Sequence, residues 1–177
     1  MHFYLKGTDF SIFVKTIFKM RLLILILSFH FIGKIKAQDS TLVMTKGDSV
    51  VYWAKTQLGA TYKWGTCSPG KSFDCSGLTS YAYNKVGLKG SRSSSGLAKL
   101  GKETNLENAK PGDLLLFRGT NPKDWSVGHV GIVVSNENGK LDFIHCSSSK
   151  RHFGVVITEY YNSGYPKRFI GVRNLCN

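Results

Sequence analysis

One cysteine of the chain stands where a thiol could act as a nucleophile. Cys75 follows Asp74 at the start of a segment, residues 78–86, whose apolar side chains have helical spacing. Asp74 is of a type that caps helices, so Cys75 falls in the first helical turn. There the free N–H groups and the helix dipole favour an anion and are expected to lower the pKa of the thiol. From these residues alone, a small buried side chain at a helix start is an equally good interpretation of Cys75.

Two histidines follow at positions where strands can bring them together. His129 opens the apolar run 127–134, and His145 lies near the end of the next run, 141–146. A turn at residues 136–139 separates the two runs, so the histidines can be neighbours across an antiparallel pair. Buried histidines usually only fill a core, but a cysteine, a histidine and a second polar group form the usual layout of an activated thiol.

The sequence predicts that helices come first along the chain and that strands follow them. Asp48 or Ser49 is expected to cap a first helix that ends at Leu58, the Cys75 helix runs to about Lys85, and a short helix covers residues 95–100. After the turn at Pro111 come five predicted strands, rich in Val, Ile, Leu and Phe, at residues 114–118, 129–135, 141–146, 155–158 and 168–173. This order predicts an α+β fold with an antiparallel sheet of about five strands.

Five short segments in this order carry a family resemblance. They are Tyr62-Lys63-Trp64-Gly65, Asp74-Cys75-Ser76-Gly77, Pro111-Gly112-Asp113-Leu114, Gly128-His129-Val130-Gly131-Ile132 and Phe143-Ile144-His145. Together they resemble the NlpC-type cell-wall cysteine peptidases over roughly residues 49 to 173. Any one segment is a weak signal, but five in order are specific. The resemblance implies a minimal papain-like fold, with the nucleophile helix packed on the sheet, and cleavage of peptide bonds in bacterial peptidoglycan stems.

The resemblance also assigns catalytic roles. It implies that Cys75 is the nucleophile, that His129 is the base, and that His145 orients His129 where other papain-like enzymes use Asn or Asp. It implies further that the Tyr62 hydroxyl and the Cys75 backbone N–H stabilise the oxyanion. The plain alternative for Tyr62 is aromatic packing beside Trp64.

Four further residues are implied to bind substrate. Asp74 and Ser76 would line the subsite for the substrate's free amine or backbone, although a helix cap explains Asp74 equally well. Arg92 and Ser93 resemble the family's arginine and hydroxyl pair near the cleft, and Arg92 could pair with a carboxylate of the stem peptide. A proline and a threonine common at this place in the family are missing, and an exposed loop arginine is the default alternative.

The N-terminal segment has the composition of a secretory leader. Lys15, Lys19 and Arg21 precede the apolar run 22–27, and Ala37 ends the segment before a polar stretch. We therefore predict a signal peptide over residues 1–37, a short tether over 38–47 and one peptidase domain over 48–177. The protein would be periplasmic or secreted after cleavage. An uncleaved membrane anchor and a true start at Met20 are the alternatives.

Charge and composition narrow the classes of partner. The chain has 177 residues and a formal net charge of +13, of which +8 belongs to residues 38–177. Such a charge favours anionic surfaces, including a bacterial wall. The basic residues are scattered and no nucleic-acid motif is present, so we predict no nucleic-acid partner. We expect a monomer that does not insert stably in a membrane once the leader is removed.

The four cysteines allow at most one disulfide if Cys75 stays free. The candidates for this bridge are Cys67, Cys146 and Cys176, and a Cys67–Cys176 pair is one possibility. Cys146 follows His145 on a strand, so it should point to the opposite face, into the core. Zinc is the rival use of a Cys/His set, but the close ligand pairs of structural zinc sites are missing, so we predict no metal or cofactor.

The function predicted from these residues is hydrolysis of peptidoglycan stem peptides by a Cys/His/His triad. The bond cut in the family often joins D-glutamate to diaminopimelate or lysine. Two alternatives stay open: a catalytically silent wall-binding module, and an amidase or acyltransferase on the same scaffold.

Overall fold

The computed structural model describes residues 43–176 and four isolated helical positions near the N-terminus, Lys15, Ile17, Lys19 and Met20. The chain divides into two compact units, Met1–Val43 and Met44–Asn177. The predicted signal peptide and the first part of the tether lie outside the described residues. Within the described part of the chain, no helix has the length and apolar character needed to cross a membrane. The second unit contains every residue predicted to be catalytic or to bind substrate.

The first helix of this unit, α1, spans Lys46–Lys55 and starts earlier than predicted. Its cap is Thr45, whose hydroxyl oxygen accepts the Asp48 N–H while the Asp48 carboxylate accepts the Thr45 N–H. This reciprocal capping box makes the prediction of Asp48 or Ser49 as the cap wrong, because Asp48 acts from inside the helix. The helix also ends three residues before the predicted Leu58.

The nucleophile helix, α2, spans Cys75–Lys85 as predicted. Asp74 caps it by accepting the Gly77 N–H at 2.6 Å. The helix ends at Val86, and Gly87 takes φ +76°, a left-handed conformation that glycine adopts without a Cβ clash. A third helix, α3, spans Ser94–Leu97 and is shorter than predicted.

Two sheets accompany the helices. A three-stranded sheet, ordered β1-β3-β2, lies between α1 and α2 in the chain, where the sequence predicted no strand. The main sheet has six strands in the order β4-β9-β5-β6-β7-β8, and every neighbouring pair in it is antiparallel. In chain order the strands are β1 Thr61–Tyr62, β2 Cys67–Ser68, β3 Ser72–Phe73, β4 Lys102–Thr104, β5 Leu114–Arg118, β6 Val127–Glu137, β7 Lys140–Ser147, β8 Gly154–Glu159 and β9 Phe169–Asn174.

The predicted α+β class and the five predicted strands are confirmed, and β4 is the sixth. Apolar side chains cover both faces of the main sheet. One cluster contains Leu78, Ala82, Val130 and Ile144, because α2 packs against β6 and β7. The other contains Leu115, Phe117, Phe143 and Val172 on the opposite face. The sheet is therefore buried on both sides, and α2 is fixed against the strands that carry the two histidines.

The turn before β5 anchors α1 to the sheet. Gly112 has φ +87°, and a Cβ on it would lie 2.8 Å from the Gly47 carbonyl oxygen. Its own carbonyl oxygen accepts the Tyr83 hydroxyl at 2.9 Å. Only glycine permits both this left-handed conformation and the close approach, which explains Gly112 in the motif that supported the resemblance.

All four cysteines are free. Cys146 is fully buried, as predicted, and its thiol donates to the Phe73 carbonyl oxygen. The thiol of Cys67 faces the Gly77 carbonyl oxygen, whereas that of Cys176 faces the Gly112 carbonyl oxygen. The Cys67–Cys176 bridge that the sequence left possible is thus not formed in this structure.

Candidate active site

The thiol of Cys75 lies at the N-terminus of α2 and is 9% exposed. The turn around it is fixed by Gly77, because a Cβ there would collide with the Thr66 carbonyl oxygen and lie 2.7 Å from Nη1 of Arg92. A glycine at this position therefore lets the β2 segment pack closely on the first turn of the helix. In the short sequence Asp74-Cys75-Ser76-Gly77, Asp74 caps the helix, Cys75 provides the thiol, and the missing side chain of Gly77 permits the close packing around them.

The sulfur of Cys75 lies near the backbone of β6 at Val130, the residue that follows His129. The β6–β7 ladder begins at Ile132 paired with Ile144, so the first part of β6 is not paired with β7. The backbone N–H of Val130 lies close enough to the Cys75 sulfur to lower the pKa of the thiol, as do the N–H groups of Ser76 and Cys75. The thiol is therefore held between the start of α2 and the residue that follows His129.

His129 and His145 meet across β6 and β7. If the register of Ile132 with Ile144 is continued, the two histidines become diagonal neighbours on one face of the sheet. Their Nε2 and Nδ1 atoms lie 3.0 Å apart, and the rings are nearly perpendicular, at 88°. The predicted cross-strand pairing of these histidines is realised.

Two residues that were not singled out from the sequence complete this cluster. Nε2 of His145 lies 3.0 Å from the Thr158 hydroxyl, and the Tyr165 hydroxyl lies 3.3 Å from Nδ1 of His145. The Tyr165 ring also stacks on His129, with centroids 5.7 Å apart. Thr158 falls in a predicted strand, but no pattern marked it, and Tyr165 lies in a connector whose path the sequence did not predict.

Both histidines are held neutral. Burial and then the Arg168 guanidinium lower the pKa of His129 to about 3. Burial lowers the pKa of His145 well below its usual value, and positive charge on His129, Arg168 and His152 acts in the same direction. At neutral pH the pair therefore consists of two uncharged imidazoles, each able to donate one hydrogen bond and accept another.

The pKa of Cys75 is raised, whereas the sequence predicted a lowered value. Burial raises it above the usual value of a thiol, and the adjacent Asp74 carboxylate raises it further. The N–H groups of Val130, Ser76 and Cys75 oppose this effect without overcoming it. The predicted lowering of this pKa by the helix terminus is wrong, because desolvation and a capping carboxylate act on the same sulfur.

Tyr62 lies close enough to Cys75 for their charges to interact. Burial raises the pKa of its phenol, followed by negative charge on Cys75, Asp74 and Cys146. Its ring meets Phe153 edge to face, with centroids 5.9 Å apart. Among the described residues, the Tyr62 hydroxyl has no hydrogen-bond partner, so it is free to donate to a ligand.

A cleft of about 370 Å³ opens over the sulfur and includes all four residues predicted to bind substrate. It is lined by Trp64, Gly65, Asp74, Cys75, Ser76, Arg92, Ser93, Ser94 and Gly128. The cleft therefore brings the predicted nucleophile together with the predicted substrate-binding residues, whereas His129, His145 and Tyr62 are not among its lining residues. Within the described part of the chain, no group of three or more His, Cys, Asp or Glu side chains could hold a metal ion.

Arg92 already has a carboxylate partner in this cleft. Its two terminal nitrogens each lie 3.3 Å from an oxygen of Asp74, in a bidentate pair. The Asp74 side chain is 8% exposed and that of Arg92 is 44% exposed, so the guanidinium forms the outer layer. Arg92 thus orients Asp74, and a substrate carboxylate would have to share this cation.

The two serines are also fixed by local bonds. The Ser76 hydroxyl lies 3.0 Å from both Oδ1 of Asp74 and the Arg92 carbonyl oxygen, and its single proton serves one of them. The Ser93 hydroxyl caps α3 by accepting the Gly96 N–H at 3.1 Å. This wall of the cleft is therefore rigid before any substrate binds.

A thiol beside an imidazole, surrounded by backbone N–H groups and a free phenol, is suited to attack a carbonyl carbon. The imidazole can take the thiol proton, and the N–H groups and the phenol are donors that could stabilise an oxyanion. The arrangement therefore favours acyl transfer through a thioester.

Comparison with known proteins agrees with this chemistry. The sequence profile described as "NlpC/P60 family" matches residues 59–174. The chain is 36% identical over 132 residues to gamma-DL-glutamyl hydrolase of Bacillus subtilis (strain 168), covering 74% of this chain and 30% of that protein. It is 39% identical over 120 residues to a probable endopeptidase p60 of Listeria welshimeri, covering 67% of this chain and 20% of that protein. The match thus spans less than a third of either relative.

A similar structure has been solved. NlpC1 from Trichomonas vaginalis superposes with a TM-score of 0.65 at 30% identity, over 74% of this chain and 44% of that one. The superposition confirms the predicted fold, in which the nucleophile helix packs on an antiparallel sheet.

Proposed function

This chain belongs to the NlpC/P60 family, and from that membership and the geometry of its site we propose that it is an exported cysteine endopeptidase of peptidoglycan stem peptides. One observation carries the proposal. The two imidazoles lie 3.0 Å apart, and the backbone of Val130, the residue after His129, acts on the Cys75 sulfur. A wall-binding module would not need a pair of neutral histidines, one of them fully buried, on the strand that meets a buried thiol.

The resting state is a neutral thiol next to a neutral imidazole. To act as a base, His129 must keep a lone pair on Nδ1, so its proton lies on Nε2 and is donated to Nδ1 of His145. His145 then carries its own proton on Nε2 and donates it to the Thr158 hydroxyl oxygen. The Thr158 hydroxyl can accept this proton, because a hydroxyl both donates and accepts, so both contacts are compatible with the tautomers that the reaction requires.

The reaction begins when the substrate carbonyl enters the cleft. The Cys75 proton moves to Nδ1 of His129 as the sulfur attacks the carbonyl carbon, and a C–S bond forms. The resulting oxyanion accepts hydrogen bonds from the Cys75 N–H and the Tyr62 hydroxyl. Because the thiol is neutral at rest, proton removal accompanies attack, as it does for a serine nucleophile.

Two proton transfers complete the cycle. The His129 imidazolium gives its proton to the leaving amine as the C–N bond breaks, which leaves a thioester on Cys75. A water molecule then attacks the thioester with His129 as its base, and the acid is released with the thiol restored. These steps use only side-chain and backbone groups of this chain.

The substrate class is inferred from the relatives. One relative is named as a gamma-DL-glutamyl hydrolase, and others are named as probable endopeptidases. We infer a bond on the carboxyl side of D-glutamate, joined to diaminopimelate or lysine. The formal charge of +8 on residues 38–177 suits an anionic wall.

Export would follow from residues 1–37 if they act as a cleaved leader, and the released protein would act as a monomer in the periplasm or outside the cell. Mass spectrometry of the protein recovered from its native host would identify the mature N-terminus, which we expect at Gln38. An N-terminus at Met1 or Met20 on the recovered protein would refute the leader.

The test of the activity is release of stem-peptide fragments from purified wall, followed by mass spectrometry. Cys75→Ala and Cys75→Ser are expected to reduce the rate of fragment release by at least about 10³-fold. Their circular dichroism spectra should match that of the wild type. The matched control is Cys67→Ala, which removes an exposed thiol from β2 and should leave release unchanged. Fragments released at the normal rate by Cys75→Ala would exclude the thiol mechanism.

A further inference from the structure

A second and larger cavity borders the histidine pair. Its volume is about 640 Å³, and it has no lining residue in common with the cleft over Cys75. His145, Thr158 and Tyr165 form its inner wall, so it reaches the same cluster from another side. The loop between β7 and β8 and the connector between β8 and β9 form the rest of the wall.

The charged groups of this cavity are mainly positive. Arg151 and Arg168 line it together with His152, and Glu159 is its one acidic lining residue. The Glu159 carboxylate is already occupied, since its two oxygens accept the N–H groups of Tyr161 and Asn162 at 3.0 and 2.6 Å. The cavity therefore presents positive charge that its own carboxylate does not neutralise.

Arg168 is a fixed cation in this wall. Its Nε and Nη2 donate to the Arg118 carbonyl oxygen at 3.2 and 2.9 Å, and its guanidinium lies 5.2 Å from the centroid of the Tyr165 ring. Among residues 43–176, no carboxylate forms an ion pair with Arg168. A half-buried guanidinium, held by a neutral carbonyl and lacking a counter-ion, is a good partner for a carboxylate ligand.

The position of the cavity relates it to the reaction. Its loop carries Arg151 and His152, and the next residue, Phe153, packs against Tyr62 on the cysteine side. The other end of the site is occupied by the Asp74–Arg92 pair. The Asp74–Arg92 pair and the cavity thus border the catalytic residues at different places, one on each side of the predicted reaction centre.

We propose that this cavity is a carboxylate-binding subsite for the leaving half of the substrate, in which Arg168 and Arg151 hold the α-carboxylate of the residue released as the amine. The inference rests on the proposed function. It requires that the residue on the amine side of the cleaved bond carries a free carboxylate, as the C-terminal lysine or diaminopimelate of a short stem peptide does.

The test compares two peptides that differ in one group. Both contain L-alanyl-γ-D-glutamyl-L-lysine, one ending in the free carboxylate and the other in the carboxamide. We expect the wild-type protein to cleave the carboxylate peptide with a kcat/KM about tenfold or more above that of the amide. Arg151→Gln and Arg168→Met should each reduce this ratio, mainly through the KM of the carboxylate peptide.

The ratio between the two peptides is independent of the amount of active protein, so partial unfolding of Arg168→Met does not affect it. Arg151 is exposed, so Arg151→Gln should fold normally. If the Arg168 variant does not fold, the ratio measured with Arg151→Gln tests the subsite. The matched control is Lys102→Ala, which removes an exposed cation from β4, at the opposite edge of the sheet from β8. It should preserve the ratio.

The outcomes are distinguishable. Failure of the wild-type protein to cleave either peptide would overturn the proposed function and the subsite with it. Cleavage of both peptides at equal rates, or a ratio that both arginine variants leave intact, would overturn the subsite alone. A reduced ratio in the arginine variants, with the control unchanged, supports it.

Discussion

Nε2 of His129 lies 3.0 Å from Nδ1 of His145, and this contact occupies one of the two ring nitrogens of His129. Nδ1 of His129 is therefore the nitrogen that can take the Cys75 proton in the proposed reaction. Because Nε2 of His145 in turn meets the Thr158 hydroxyl at 3.0 Å, three neighbouring strands contribute to one chain of hydrogen bonds. The chain controls the tautomer of the base at a distance from the reacting atoms.

The first prediction concerns His145. His145→Ala should lower kcat by about 10²-fold, because His129 loses the acceptor that fixes its orientation and tautomer. His145→Asn should retain more activity, because an amide oxygen can still accept the Nε2–H of His129. The measurement is kcat and KM on the carboxylate peptide, and KM should change little in either variant. Equal activity of His145→Ala and the wild type would refute the orienting role.

The second prediction concerns the ionisation of the thiol. Since burial and Asp74 raise the pKa of Cys75, its alkylation by iodoacetamide should accelerate as the pH rises through about 9 and show no plateau near neutrality. The rate is followed by mass spectrometry of the peptide that contains Cys75. Asp74→Asn should move the profile to lower pH, because it removes a negative charge beside the sulfur.

A rate that is already maximal at about pH 6 would contradict this second prediction, because it would require a thiolate–imidazolium pair at rest. Cys67 is exposed and is labelled in the same digest. Its rate gives the pH response of a more accessible thiol in the wild-type protein, whose pKa is also raised, first by burial.

The third prediction concerns stability in acid. A histidine whose pKa is lowered on folding stabilises the protein fully above its unfolded pKa, and that contribution is lost as the pH falls towards the folded value. His129 and His145 both have lowered pKa values, that of His129 being about 3. Stability should therefore fall as the pH decreases below about 6.5, because the unfolded chain binds protons that the folded chain does not.

Thermal unfolding measured between about pH 7 and pH 5 checks this third prediction, and we expect Tm to fall by about 3 to 6 °C. His145→Asn should show a smaller decrease, since one of the two buried imidazoles is gone. The exposed His152→Gln removes only the smallest of the contributions that lower the pKa of His145, so it should change the decrease less than His145→Asn does. A Tm that is constant over this range would show that the histidines are not buried in neutral form.

Sequence patterns predicted the site well where the chemistry is local or the strands are apolar. The Asp74–Cys75 helix start and the pairing of His129 with His145 both follow from spacing. Thr158 could not be predicted as part of the site, because its contact with His145 depends on which strand pairs with β7. No local sequence pattern contains that information. The strand β4 was missed for another reason, since three polar residues at a sheet edge show no apolar alternation.

The direction of the Cys75 pKa could not be obtained from the sequence either. A helix terminus argues for a lowered pKa, and that argument is local. The opposing effect depends on how deeply the first turn is buried against β6, which is a property of the assembled fold. The same holds for Arg92, whose bidentate contact with Asp74 brings together residues 18 positions apart.

The last prediction concerns Gly131, which lies in β6 two residues after His129. A Cβ there would lie 2.6 Å from Cδ2 of Phe143 and 3.2 Å from the Ile144 carbonyl oxygen. The Phe143 ring stacks on His145, with centroids 4.8 Å apart at 24°. Gly131→Ala should therefore push this ring towards His145 and cost about 1 to 3 kcal/mol of stability.

Because the displaced ring bears on His145, Gly131→Ala should also lower kcat more than its loss of folded protein explains, by about tenfold. Gly171→Ala is the matched control, since Gly171 lies in β9 of the same sheet and a Cβ there would meet nothing within 4 Å. The double variant Gly131→Ala with Phe143→Leu should regain part of the lost kcat, because a smaller side chain yields to the new methyl group. If kcat per folded molecule is unchanged in Gly131→Ala, Phe143 does not position His145.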